Sequence, residues 1–186
     1  MTSPAPLILA SQSPRRRELL TQAGYTFSVQ PADIDETRRE GEAPDAYVQR
    51  LALEKAQAIH ALRPEAVVLG SDTTVVLDGA VLNKPVDLAD ARRMLESLAG
   101  RAHEVHTGIA VVAGGSARSH VETTRVFFSA IPDADLEHYL TTGDSLDKAG
   151  AYGIQGYPAR WITRIEGDFF NVMGLPIAAT VKLLHG

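Results

Sequence analysis

The chain's first apolar run, Leu7-Ile8-Leu9-Ala10, has no polar face to turn toward water, and it leads almost at once into Ser13-Pro14, a strong signal for a helix start. That pairing imposes a buried strand running straight into a helix. Ser13 suits the N-cap and Pro14 the first helical position, so Arg15, Arg16 and Arg17 fall in the first turn, where free N–H groups already carry partial positive charge. An exposed cation there costs about 0.3–1 kcal/mol. Two readings of this conflict stand. Either the guanidiniums are solvated or paired with Glu18 and other acids, or the turn receives a polyphosphate on its N–H groups and arginine forks.

The pattern continues along the chain. Gly24 stops the first helix, Tyr25 to Gln30 alternates as a short strand, and the polar, acidic segment from Pro31 to Pro44 reads as a loop. A helix from Asp45 to about Leu62 carries Val48, Leu51, Ala52, Ile59 and Leu62 on one stripe. Lys55 falls in the middle of that stripe, so it either snorkels or reaches an anion. Ala66-Val67-Val68-Leu69-Gly70 is a strand buried on both faces that ends in Ser71-Asp72-Thr73-Thr74. A hairpin turns at Asp78-Gly79, and Asp87 caps a helix that Gly100 stops. Glu104 to Ala113 pairs with His120 to Ile131 through Gly114-Gly115, and a short helix follows Pro132. After the glycine-rich stretch from Asp147 to Gly174, Pro176 opens a last helix.

Bulk composition narrows the partners. The 186 residues are 45% hydrophobic and 22% charged, as in an ordinary globular domain, and a net charge of −5 leaves no broad cationic field for a nucleic-acid polymer or an anionic membrane. Any phosphate recognition is therefore local. The absence of cysteine excludes disulfides, thiolate catalysis and cysteine-ligated zinc. With no apolar leader and no membrane-length stretch, a cytoplasmic protein is the expectation. Of 18 basic residues only four are lysines, and Lys55, Lys84 and Lys148 lie in segments unusual on other grounds.

Asp72 is the leading acid/base candidate, as a metal ligand, a general base or both; its alternative is a turn cap. Glu36 is a second oxygen ligand by residue type only. The run Asp147-Lys148-Ala149-Gly150-Ala151-Tyr152-Gly153-Ile154-Gln155-Gly156 joins an ion-pair dipeptide to glycines that either admit a ligand to the backbone or mark a bulge. His103 and His106 point to opposite faces of a strand, which argues for structural histidines. Trp161 reads as a core or dimer-contact aromatic, with base stacking as its alternative.

Six segments in order resemble the motifs of the Maf family of septum-formation-inhibitor-like nucleotide pyrophosphatases. They are Ser11-Gln12-Ser13-Pro14-Arg15-Arg16, Glu54-Lys55-Ala56, Gly70-Ser71-Asp72-Thr73, Lys84-Pro85, the run from Asp147 to Gly156, and Asn171-Val172-Met173-Gly174-Leu175-Pro176. The likeness spans essentially the whole chain. Arg15, Thr73 and Gln155 occupy the positions that separate its dTTP/UTP pyrophosphatases from the 7-methyl-GTP subgroup.

The resemblance implies one α/β domain over residues 1–186, with a mixed twisted sheet flanked by helices and two lobes enclosing an active-site cleft, as in inosine triphosphatases. It implies a cytoplasmic homodimer that converts a nucleoside triphosphate, dTTP or UTP, to the monophosphate and pyrophosphate with Mg2+ or Mn2+. Asp72 would be the general base, and Ser11, Ser13, Arg15, Arg16, Lys55, Lys84 and Lys148 would hold the triphosphate. Glu36, Asp72 and Asp147 would place the metal. The Gln155 amide carries a donor and an acceptor, which match N3–H and a neighbouring carbonyl of uracil or thymine. Two rival readings remain at this point: a pyrophosphatase for modified nucleotides, and a nucleotide-sensing regulator of septum formation.

Overall fold

The computed structural model describes residues 5–186; the first four residues of the expected domain lie outside the described residues. In chain order the elements are β1 (Leu7–Leu9), α1 (Pro14–Gln22), β2 (Ser28–Val29), α2 (Pro44–Leu62), β3 (Val67–Leu77), β4 (Ala80–Leu82), α3 (Leu88–Leu98), β5 (Ala102–Ala113), β6 (Ser116–Phe128), α4 (Asp133–Thr141), β7 (Ile162–Glu166), α5 (Phe169–Val172) and α6 (Ile177–His185). The strands form one mixed seven-stranded sheet in the order β2-β1-β3-β5-β6-β7, with β4 paired to β3. β1 runs parallel to both β2 and β3, while β4 and β7 are antiparallel to β3 and β6. This is the mixed α/β architecture expected from the sequence. Among the described residues no helix is long and apolar enough to cross a membrane.

The chain divides into two compact units. The first comprises residues 5–72, Thr107–Glu122 and Gly174–Gly186. Its core gathers Ile8, Ala10, Ala52, Ala56, Ile59, Ala66, Val68, Ala110 and Val112. α2 approaches the sheet here at backbone distance: a Cβ built on Gly70 of β3 would lie 2.1 Å from the Ala52 carbonyl oxygen. One built on Gly108 of β5 would lie 2.2 Å from that of Val48. Val48 and Ala52 are one helical turn apart, so the two glycines receive the same ridge of α2.

The second unit comprises Thr73–His106 and Thr123–Met173. Its core includes Leu95, Leu98, Phe128, Tyr139, Tyr152 and Trp161. Trp161 is 1% exposed and its Nε1 donates to Asp135 Oδ2 at 3.3 Å, which makes it a core residue as expected.

Several features differ from the sequence reading, each for a local reason. The second strand shrinks to Ser28–Val29 because β1, the strand it pairs with, is itself three residues long. Leu62 is 67% exposed because it is the last residue of α2, beyond which residues 63–65 turn away into solvent. β6 starts at Ser116, immediately after Gly114 and Gly115 make a tight turn with φ of 53° and 80°. β3 does not end at Ser71; it continues through Asp72 to Leu77, so Asp72 sits within a strand and not at its end.

His103 lies in the second unit's core, in keeping with the structural role expected of it. His103 is 2% exposed, its Nε2 lies 2.7 Å from Tyr152 Oη, and burial pulls its pKa from 6.5 down to about 4. Between those values the unfolded chain binds more protons than the folded one, so stability falls as pH falls from 6.5 toward 4. The expected loss at about pH 5, relative to neutral pH, is about 2 kcal/mol. Urea unfolding at the two pH values should show this share of the slope as a difference between the parent and His103→Gln, whose stability should fall by about 2 kcal/mol less over that interval. An equal slope in both proteins would remove His103 as its source.

Candidate active site

Strand alternation places the site's central carboxylate. Gly70 faces α2, and Asp72, two residues on, faces the same way. The close approach at Gly70 and Ala52 brings the next turn of α2 over Asp72, and that turn carries Lys55. Lys55 Nζ donates to Asp72 Oδ1 at 2.7 Å and meets Glu36 Oε1 at 2.8 Å. The lysine in the apolar stripe thus reaches anions: it is 8% exposed, and Asp72 is 9% exposed. Glu36, on the segment between β2 and α2, remains half-exposed.

The arginine turn completes the first unit's cluster. Ser13 caps α1, its Oγ accepting the Arg16 N–H at 3.4 Å, and Pro14 opens the helix as expected. Ser11 Oγ accepts from Ser13 N at 3.2 Å and from Arg16 Nη1 at 3.1 Å. Arg16 Nε and Ser71 Oγ both donate to the Gly174 carbonyl, at 2.8 and 3.0 Å. These bonds turn Arg16 inward, away from the purely solvated alternative, while Arg15 stays half-buried and Arg17 exposed. The buried Asp72 carboxylate and the half-buried Arg16 guanidinium then act on each other. Burial raises the Asp72 carboxyl above its ordinary value, against the pull of Lys55 and Arg16. Burial likewise lowers the Arg16 guanidinium, with Asp72 opposing and Arg15 reinforcing that shift.

A carboxylate of raised basicity, flanked by a lysine and an arginine, can accept a proton from water while the cations attract an anion. The donor set also suits a divalent cation. Glu36 and Asp72 direct one oxygen each at a single point, now held by Lys55 Nζ, and Mg2+ commonly takes one or two carboxylates when substrate phosphates complete its shell. Among the described residues no group of three or more histidine or carboxylate side chains is gathered for a metal.

The second unit holds the remaining sequence candidates. Lys148 Nζ is enclosed by the Asp144 carbonyl at 2.6 Å, Asp144 Oδ1 at 3.1 Å and Asp147 Oδ1 at 2.6 Å. The segment before Lys84 is tied to the same region: Asn83 Oδ1 accepts from Thr74 Oγ1 at 2.8 Å, and the Asn83 carbonyl accepts from Gly150 N at 3.2 Å. Lys84 and Gln155 are exposed, and Thr73 is half-buried. Two glycines of this run sit against neighbouring side chains: a Cβ on Gly150, at φ +66°, would lie 2.8 Å from Val75 Cγ2, and one on Gly153 would lie 2.9 Å from Lys148 Cε. Sequence reasoning passed over Asp144, although it stands four residues before Lys148.

Comparison with known proteins adds the family. The pattern of the family described as Maf-like protein matches residues 6–186. A relative from Koribacter versatilis named dTTP/UTP pyrophosphatase is 51% identical, over 96% of this chain and 93% of its own. One of the same name from Vibrio cholerae serotype O1 is 51% identical, over 96% of each chain. A solved HAM1 protein from Coxiella burnetii superposes with a TM-score of 0.55 over 97% of this chain and 98% of its own. At 17% identity that structure speaks for the fold alone.

Proposed function

This chain belongs to the Maf family, and we propose that it is a nucleoside triphosphate pyrophosphatase acting on dTTP and UTP. The observation that carries the reading is Asp72: a buried carboxylate of raised basicity, bonded to Lys55 and close to Arg16. Relatives about half identical over nearly the full chain bear the name of that activity.

In this reading Asp72 takes a proton from a water molecule as the water oxygen bonds to the α-phosphorus. The bond from that phosphorus to the α,β-bridging oxygen breaks, and pyrophosphate leaves with the electron pair. Charge builds along the triphosphate as this happens, so fixed cations aimed at it lower the barrier. Arg15, Arg16, Lys55, Lys84 and Lys148 supply that charge, with Ser11 and Ser13 shaping the arginine turn. Glu36 and Asp72, with Asp147, would hold Mg2+ or Mn2+, which neutralises phosphate oxygens when bound. Arg15, Thr73 and Gln155 set base preference, the Gln155 amide matching the donor and acceptor of a uracil or thymine edge. The reading includes a homodimer, and a place in the cytoplasm in keeping with a cysteine-free chain.

Separate assays for the two phosphate products test it. Purified protein with Mg2+ or Mn2+ should release pyrophosphate, and no orthophosphate, from dTTP and UTP. Release of orthophosphate, or a marked preference for methylated or deaminated nucleotides in competition, would overturn the assignment.

A further inference from the structure

Glu36 presents a physical problem. It stands in a stretch without regular structure, residues 30–43 apart from one turn, and its side chain is 56% exposed, yet its carboxylate lies 2.8 Å from a buried ammonium. An exposed glutamate on a long loop ordinarily loses such a contact to conformational entropy. Something must hold the backbone beside it.

Two side chains of α2 do so. Tyr47 Oη donates to the Glu36 carbonyl at 2.9 Å, and Arg50 Nη2 donates to the Thr37 carbonyl at 3.2 Å. The peptide groups on and just after Glu36 are therefore both tied to the helix that carries Lys55. Arg50 also grips the far end of the loop, with Nε 2.6 Å from Glu42 Oε1 and Nη2 2.8 Å from Glu42 Oε2. Glu42 Oε2 in turn accepts the Arg39 N–H at 3.0 Å, and the Glu42 carbonyl accepts from Arg38 Nε at 2.9 Å. The pair is well shielded, 13% and 10% exposed, and the Arg50 fork holds the Glu42 carboxyl down to about 2, so it stays ionised at any physiological pH. Arg50 also lies 5.7 Å from the centre of the Tyr47 ring, so the two donors brace each other.

We infer that Tyr47 and Arg50 are positioning residues: they fix the loop backbone so that Glu36 meets Lys55 and Asp72 in the geometry the reaction uses. The inference rests on the function proposed above and adds to it two residues that touch no reacting atom. Groups that orient such a carboxylate typically contribute 10–100-fold to metal affinity or activity.

The test is a pair of double-mutant cycles read by pyrophosphate release. Tyr47→Phe keeps the ring and its stacking and removes only the donor; Arg50→Lys keeps the charge and removes the fork. Each should lower kcat by about tenfold or more and raise the Mn2+ concentration for half-activation, with KM for dTTP changed by less than about threefold. In a Glu36→Gln background the same substitutions should change kcat by less than about twofold, because the carboxylate they orient is gone. Equal losses in both backgrounds would show that the pair acts elsewhere and would overturn the inference while leaving the proposed function intact. Full activity of Glu36→Gln alone would instead remove Glu36 from the proposed function and take this inference with it. Thermal melting of each variant separates a lost orientation from a lost fold.

Discussion

Asp72→Asn should reduce pyrophosphate release by about 10²–10⁴-fold while leaving dTTP binding in place, the loss associated with removing a general base. Asparagine preserves volume and keeps an oxygen to accept from Lys55 Nζ, so the lysine stays where it is while the carboxylate's charge is lost, and with it both its basicity and its hold on a metal. Stability should move differently. Burial raises the Asp72 pKa, so the folded chain binds this proton more tightly than the unfolded chain does. Stability contributed by this residue therefore decreases as pH rises from the ordinary carboxylate range through the raised value, and at neutral pH its ionisation works against the fold. The asparagine variant should accordingly melt no lower than the parent at neutral pH. Isothermal titration with dTTP, product assays and a thermal scan measure the three quantities. Retention of more than about a tenth of the rate would strip Asp72 of the base role. Low activity with an equally low melting temperature would mean the residue is structural.

Parts of this arrangement were legible in the sequence because their causes are local. A serine followed by proline caps a helix through atoms within three residues, so α1 and its arginines fell where expected. Lys55 was conspicuous because a lysine in an apolar stripe must either snorkel to water or reach an anion, and it reaches two. The extension of β3 was hidden for the opposite reason. Ser71 and Thr74 look like turn residues, but their hydroxyls are satisfied by Gly174 and Asn83, partners that no local pattern discloses. β7 escaped notice because its half-buried residues, Ile162 and Ile165, are three apart, and a register shift between Phe127 and Phe128 breaks the two-residue alternation that marks a strand. Tyr47 and Arg50 were the least visible of all, since a buried tyrosine and a surface-type arginine on a helix are unremarkable until the carbonyls they hold are known.

The second large effect concerns a residue with no side chain. Gly70→Ala should destabilise the protein by about 3 kcal/mol or more, at or above the upper end of ordinary overpacking. The added carbon would sit 2.1 Å from the Ala52 carbonyl oxygen and a few tenths of an ångström inside ordinary contact with Ala56 N and Cβ, at 3.0 and 3.1 Å. Those atoms belong to the middle of a 19-residue helix whose backbone hydrogen bonds forbid moving one carbonyl alone. Relief therefore requires α2 to lift as a body or β3 to retreat, and Lys55 and Asp72 lie on those two elements one turn and two residues beyond the clash. A shift of even an ångström opens their 2.7 Å bond and leaves Asp72 buried without its ammonium, a second cost on top of the first. Activity and stability should thus fall together, in contrast to Asp72→Asn, where they part. Urea unfolding measures the first term, and product release at a temperature where the variant remains folded measures the second. A variant within about 1 kcal/mol of the parent would mean that α2 can yield at this contact without cost, and the account of how Lys55 is brought onto Asp72 would fail.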